Sequence, residues 1–198
     1  QLRENSAMLP ALRQSVRTGS YAYVNDHPAL DITGQLTLEA WVKPVFISTT
    51  YFAGILSKYS SNGEAAYNLY LMPGGQVSFY LGETGVFTTE NRLLTTNPLP
   101  LNTWTHVVGT YDGQTKRIYL NGRLDVTRAR KGPIHNTTEP VRVGSFGASS
   151  FFDGTIDAPT IYDRALSATE IEQRFAERAA YGPSNPGLLP GTVAQWNL

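Results

Sequence analysis

The chain has 198 residues, of which 41% are hydrophobic and 11% aromatic, and its sixteen basic and sixteen acidic side chains leave no net charge. That length suits one all-β domain, and a balanced charge without a basic stripe argues against nucleic acid or an anionic membrane surface as the main partner. There is no cysteine, which excludes disulfides, thiolate metal sites and cysteine nucleophiles, and no apolar run of about 18 residues offers a transmembrane segment.

Residues 1–18 show little periodicity and read as an irregular lead-in. They begin Gln1-Leu2-Arg3-Glu4-Asn5, without the apolar stretch of a signal peptide, and the opening Gln suggests a processed chain or an excised fragment. The compartment stays open, with a secreted or periplasmic location favoured. From Gly19 onward, short strand-like runs alternate with turn signals at the spacing of a β-sandwich. Leu38, Ala40 and Val42 alternate with Thr37, Glu39 and Trp41, so a strand covers roughly residues 36–43 and Pro44 ends it.

The next element is the clearest hairpin. Tyr67, Leu69 and Leu71 share one face, Pro73-Gly74-Gly75 makes the loop, and Val77, Phe79 and Leu81 answer on the return strand. The register this predicts sets Leu71 opposite Val77 and Leu69 opposite Phe79 on the core side. On the other face it sets Tyr70 opposite Ser78 and Asn68 opposite Tyr80. A slip of one residue would bury the wrong set.

A second hairpin runs from Trp104–Tyr111 through Asp112-Gly113 to Arg117–Leu120. Asn121-Gly122 then supplies the two residues with positive φ that a type I′ turn requires. Val141–Gly144 is another short strand and Phe152–Tyr162 the last. Ser167-Ala-Thr-Glu170 is a capping box, with Leu166 and Ile171 placed as a hydrophobic staple, so a helix should run over about 168–180 with Ile171 and Phe175 on one face. After Tyr181 the Gly/Pro cluster of 182–187 reads as a linker. Residues 191–198 read as a terminal strand, either returning to the sheet or opening a further domain.

Four segments in order carry a family resemblance: Leu36–Pro44, Trp104–Gly113, Ile118–Gly122 and Phe152–Asp157 running on to Ser167. Together they resemble laminin-G-like, concanavalin A-like modules over roughly residues 19–180. The resemblance implies an all-β, two-sheet antiparallel jelly-roll sandwich with one short C-terminal helix, acting as an accessory module that binds glycan or protein. Relatives often hold calcium between the Asp of the last strand and an acidic residue of the first. Here Asp157 is kept, Thr18 and Ala22 stand at the acidic positions, and Ala158-Pro159 replaces an acidic residue and Val. Gly19-Ser20-Tyr21 and Val193–Trp196 are also similar to the laminin-G-like segment in the large chain of N,N-dimethylformamidase-type amidases. That gives an alternative reading, a structural domain of an amidase-type enzyme with its catalytic residues elsewhere.

No catalytic constellation is visible. A glucanase of this fold class needs two Glu and an Asp on one face of one strand, and no such run occurs. The three histidines, His27, His106 and His135, are scattered, and nucleophile-elbow, phosphate-loop and zinc spacings are absent. His106, between Trp104 and Val108, reads as structural. Calcium is the one cofactor with candidate ligands: Asp157, Asn25, Asp26 and backbone carbonyls. The preferred alternative is that Asp157 accepts loop amides and that Asn25-Asp26 makes a turn before His27-Pro28. For a ligand, Asn68, Tyr70 and Tyr80 are the candidates, because rings with an adjacent amide suit a sugar. The alternative is that this face is covered by another layer or by a neighbouring domain.

Overall fold

A computed structural model of the chain describes residues 14–16, 20–59, 63–84, 87–147 and 149–181. The expected linker and terminal strand over 182–198 lie outside these residues, as does most of the lead-in. Within the lead-in, Gln14–Val16 forms a strand, β1, rather than irregular chain. Then follow β2 (Ala22–Val24), β3 (Leu36–Pro44), β4 (Ala53–Tyr59), β5 (Ala65–Leu71), β6 (Val77–Leu81) and β7 (Arg92–Leu94). The second half carries β8 (Thr105–Tyr111), β9 (Thr115–Leu120), β10 (Arg123–Ala129), β11 (Val141–Val143), β12 (Ser145–Phe146), β13 (Ser150–Phe151) and β14 (Gly154–Tyr162), and ends in helix α1 (Ala168–Tyr181).

The strands form two antiparallel six-stranded sheets. Sheet one has the order β1-β14-β3-β8-β9-β10 and sheet two the order β2-β11-β4-β5-β6-β7, while β12 and β13 make a separate two-stranded ribbon. Every register expected of the first hairpin is present: Leu69 faces Phe79, Leu71 faces Val77, Tyr70 faces Ser78 and Asn68 faces Tyr80. The β9–β10 turn places Asn121 at φ 49° and Gly122 at φ 78°, as a type I′ turn demands.

Leu36, Leu38, Ala40 and Val42 of β3 meet Tyr67, Leu69, Leu71, Val77 and Phe79 of sheet two in one core between the sheets. The sheets approach closely at mid-strand Gly109, where a Cβ would lie 2.7 Å from the Phe79 ring. The last strand is bulged. Its pairing with β3 shifts between Asp157 and Thr160, Ala158 sits at φ 47°, and Pro159, which has no N–H for the ladder, occupies the irregularity.

Helix α1 lies on the outer face of sheet one. Its capping box is formed, with Glu170 N–H donating to Ser167 Oγ at 3.2 Å and Ser167 N–H donating to the Glu170 carboxylate at 2.8 Å. Leu166 and Ile171 are buried with Val108, Tyr119 and Tyr162, and Phe175 stacks on Trp41 at 5.6 Å. The outer face of sheet two is covered differently, by the β12–β13 ribbon and by the segment that carries Phe87.

Candidate binding site

The strands β5, β6 and β7 alternate, so every second residue turns away from the core toward that cover. Asn68 and Tyr70 of β5, Ser78 and Tyr80 of β6 and Arg92 of β7 fall on this outer face. Asn68 lies opposite Tyr80, Tyr80 opposite Arg92, and Tyr70 opposite Ser78. The first four are completely buried, although they lie outside the main core.

An aromatic layer buries them. Phe146 packs over Tyr70 at 4.6 Å and stacks on Tyr59 at 4.2 Å. Phe87 stacks on Tyr80 at 4.4 Å, and Phe52 meets Tyr70 edge-on at 5.6 Å. Both covers are anchored. Ser57 Oγ donates to the Ser145 carbonyl at 2.8 Å, and a Cβ at Gly54 would collide with the backbone of Ser145 and Phe146, so glycine lets β12 approach β4. Phe87 N–H donates to the Gly63 carbonyl at 2.9 Å, and Thr88 N–H to Tyr80 OH at 3.4 Å.

Beneath this layer the hydrogen-bonding groups are left over. Both amide atoms of Asn68, the Tyr70 hydroxyl, the Ser78 hydroxyl and Arg92 Nε are buried without a hydrogen-bond partner. Burial raises the Tyr70 phenol to about 12; Ser78 and Arg92 lie near enough to temper the rise, yet neither meets the hydroxyl with hydrogen-bonding geometry. Each unsatisfied buried group costs about 1–3 kcal/mol. Native proteins keep such groups few, and a cluster of them calls for a partner. Here five atoms converge on one face, offering donors, acceptors and aromatic rings together. Asn68, Tyr70 and Tyr80 are thus brought together, but under another layer of the chain, the alternative weighed for this face, rather than on an open surface. Ser78 was visible in the predicted register, and Arg92 had no sequence signal beyond following a turn.

The carboxylates considered as calcium ligands are paired within the fold. Asp157 on β14 pairs with Arg178 of α1. Asp26, beyond β2 on the other sheet, pairs with Lys58 Nζ at 2.8 Å, and Asn25 is exposed. The fully buried Lys58 ammonium also reaches Asp31 at 2.7 Å, Asn136 Oδ1 at 3.2 Å and the Leu30 carbonyl at 3.3 Å. The structure therefore places Asp157 on one sheet and Asn25 and Asp26 just beyond a strand of the other, and gives each carboxylate a cation of the chain's own. Among the described residues no group of three or more His, Asp or Glu converges to hold a metal.

Glu39 is the most deeply embedded acid. It contacts His106 Nε2 at 2.9 Å, Tyr162 OH at 2.9 Å and Arg174 Nε at 2.9 and 3.1 Å. Burial alone would raise its carboxyl, but His106, Arg174 and Tyr162 overcome this and hold it down at about 2. Trp41 stacks on His106 at 5.0 Å and closes the group under α1. Glu39, His106, Tyr162 and Arg174 thus pin the helix to sheet one, in keeping with the structural reading of His106.

Two facing antiparallel sheets, with a helix packed on one outer face, define a concanavalin A-like jelly-roll sandwich. Residues 16–172 match the laminin-G family model of the concanavalin A-like lectin/glucanases superfamily, and the chain belongs to that family. No curated protein sequence matches the chain. Among solved structures it is similar to the CBM40 of the Ruminococcus gnavus IT-sialidase bound to α2,3-sialyllactose. There the TM-score is 0.66 at 17% identity, over 85% of this chain and 97% of that one. It is also similar to the binding domain of paraclostridial mosquitocidal protein 1, with TM-score 0.63 at 15% identity over 88% of this chain and 46% of that one. The binding domain of botulinum neurotoxin serotype G gives a TM-score of 0.65 at 12% identity, over 90% and 48%. The chain spans less than half the length of these two toxin domains.

Proposed function

We propose that this chain is a non-catalytic binding module that recognises carbohydrate through the outer face of β5–β6–β7, and that it serves as one domain of a larger protein. The observation that carries the reading is the set of buried, unpartnered polar atoms on Asn68, Tyr70, Ser78 and Arg92, roofed by aromatic rings. A sugar supplies what this face lacks: hydroxyls that both donate and accept, and C–H faces that stack on rings. The relatedness in fold to a sialidase carbohydrate-binding module supports the same reading. On this account the covering Phe87 or Phe146 shifts as the sugar enters. Nothing among the described residues favours the amidase-type alternative.

The test is a glycan array probed with the wild-type chain and with Asn68→Leu, which fills similar volume without polar atoms. The wild type should bind a defined glycan set, and the variant should lose at least tenfold in affinity while melting at the same or a higher temperature. Undiminished binding by Asn68→Leu would remove this face from the account.

A further inference from the structure

Arg92 differs from the comparable arginines of the fold. Among the described residues, the arginines that are buried or only partly exposed are Arg92, Arg117, Arg130, Arg142, Arg174 and Arg178. Five of them hold a carboxylate of the chain: Arg117 holds Asp112 at 2.6 Å, Arg130 holds Glu83 at 3.6 Å, Arg142 holds Glu139 at 3.7 Å, Arg174 holds Glu39 at 2.9 Å, and Arg178 holds Asp157. Arg92 is the exception and makes no ion pair. Its nearest acidic neighbour in sequence is Glu90, exposed, whose carboxylate takes the Thr89 hydroxyl at 3.1 Å and feels the Arg92 charge without forming an ion pair with it.

Arg92 is nonetheless held in place. Its guanidinium carbon lies 5.3 Å from the Phe52 ring centre and 5.0 Å from the Phe87 ring centre. The two rings flank a guanidinium that is only partly buried, and partial burial strengthens its attraction for an anion. Nε is buried and unpaired, next to the equally unpaired Tyr70 hydroxyl. A planar guanidinium offers a two-pronged set of N–H groups that matches a carboxylate, and such charge-assisted pairs are the stronger hydrogen bonds.

We propose that the ligand of this face is an acidic sugar, and that Arg92 takes its carboxylate while Asn68, Tyr70 and Ser78 take its hydroxyls. The inference rests on the reading of this face as a carbohydrate site and adds to it the charge class of the ligand. The missing carboxylate partner of Arg92 and the missing neutral partners beside it then belong to one molecule.

Titration calorimetry with two matched pairs tests it: α2,3-sialyllactose against lactose, and a galacturonate oligomer against its carboxyl-reduced form. At least one acidic member should bind ten times or more tighter than its neutral partner, with affinity falling as salt is raised. Arg92→Gln should erase that preference, bringing the acidic member down to the affinity of its neutral partner. Arg92→Lys, which keeps the charge without the fork, should retain part of it and serves if the Gln variant melts early. Equal binding of neutral and acidic members, or an unaltered preference in Arg92→Gln, would overturn the acidic ligand while the carbohydrate site stands. So would binding of sulfated glycans alone on the array. If no glycan binds the wild type, both readings fall.

Discussion

Asn68 stands directly opposite Tyr80 across the β5–β6 ladder, and neither has any exposed surface. Tyr80 accepts from Thr88 N–H, whereas the Asn68 amide has no partner at either atom. A buried amide left in this state is a standing penalty on the unliganded fold, and the same holds for its neighbours Tyr70 and Ser78. Tyr70→Phe and Ser78→Ala remove such groups with little change of shape. Both should leave stability unchanged or raise it by up to about 1–3 kcal/mol, since deleting an unpaired polar group relieves its desolvation. Urea titrations of the unliganded variants check this; a loss of stability in both would mean that the hydroxyls are satisfied after all.

The Glu39 network gives the opposite sign. Glu39→Gln leaves Arg174 without its carboxylate beneath the helix and should destabilise the fold by about 3–5 kcal/mol. Because the folded carboxyl is held at about 2, below its ordinary 4.5, its contribution is fully present above pH 4.5 and is lost as pH falls toward 2. Trp41, stacked on both His106 and Phe175, should report the loss of helix docking by fluorescence in that window. The Gln variant should show a shallower acid dependence than the wild type.

Lys58 holds the two carboxylates near the end of β2. Lys58→Met would leave Asp26, Asp31 and the Leu30 carbonyl without their cation. The loss should be about 3 kcal/mol, at the low end for removing one partner of a buried pair, because Asp26 and Asp31 keep 28% and 32% of their side-chain exposure. With that ammonium in place, and with Asp157 held by Arg178, calcium or a chelator should not move the melting temperature of the wild-type chain. A calcium-dependent rise would contradict this.

Lys116 titrates near neutrality. Burial, with Arg128 and Arg130 nearby and only Glu83 opposing, pushes its ammonium from 10.5 down to about 7, and its Nζ donates to the Asn91 carbonyl at 2.5 Å. Between pH 7 and 10.5 the unfolded chain keeps a proton that the folded chain has shed, so this residue's contribution to stability should rise with pH across that interval. Lys116→Met should flatten the slope, as followed by melts in a pH series.

How much was legible in the sequence depended on whether the signal was local. The register of β5 and β6 follows from alternation and a short loop, and the capping box at Ser167 and Glu170 from four adjacent residues; both could be read without coordinates. What covered the outer face could not. Phe146 lies more than sixty positions from Asn68 in the chain, and it reaches the site only because Gly54 admits the β12 backbone against β4. The calcium expectation rested on a family resemblance at Asp157 and on residue type at Asn25 and Asp26, and the competing cations, Lys58 and Arg178, come from β4 and α1 with no spacing that links them to Asp26 or Asp157. β1 was missed because three residues carry too little pattern to stand out; pairing with β14 makes them a strand.

The side-chain amide of Asn68 is the most direct witness to the binding face. In a two-dimensional nitrogen–proton spectrum, titrating the best-binding glycan should shift the Asn68 Nδ2 resonances, with Tyr70 and Ser78 backbone signals moving alongside. Those changes should saturate at the affinity measured by calorimetry. A glycan that binds with that affinity while the Asn68 amide signals stay fixed would show that the site lies elsewhere on the molecule.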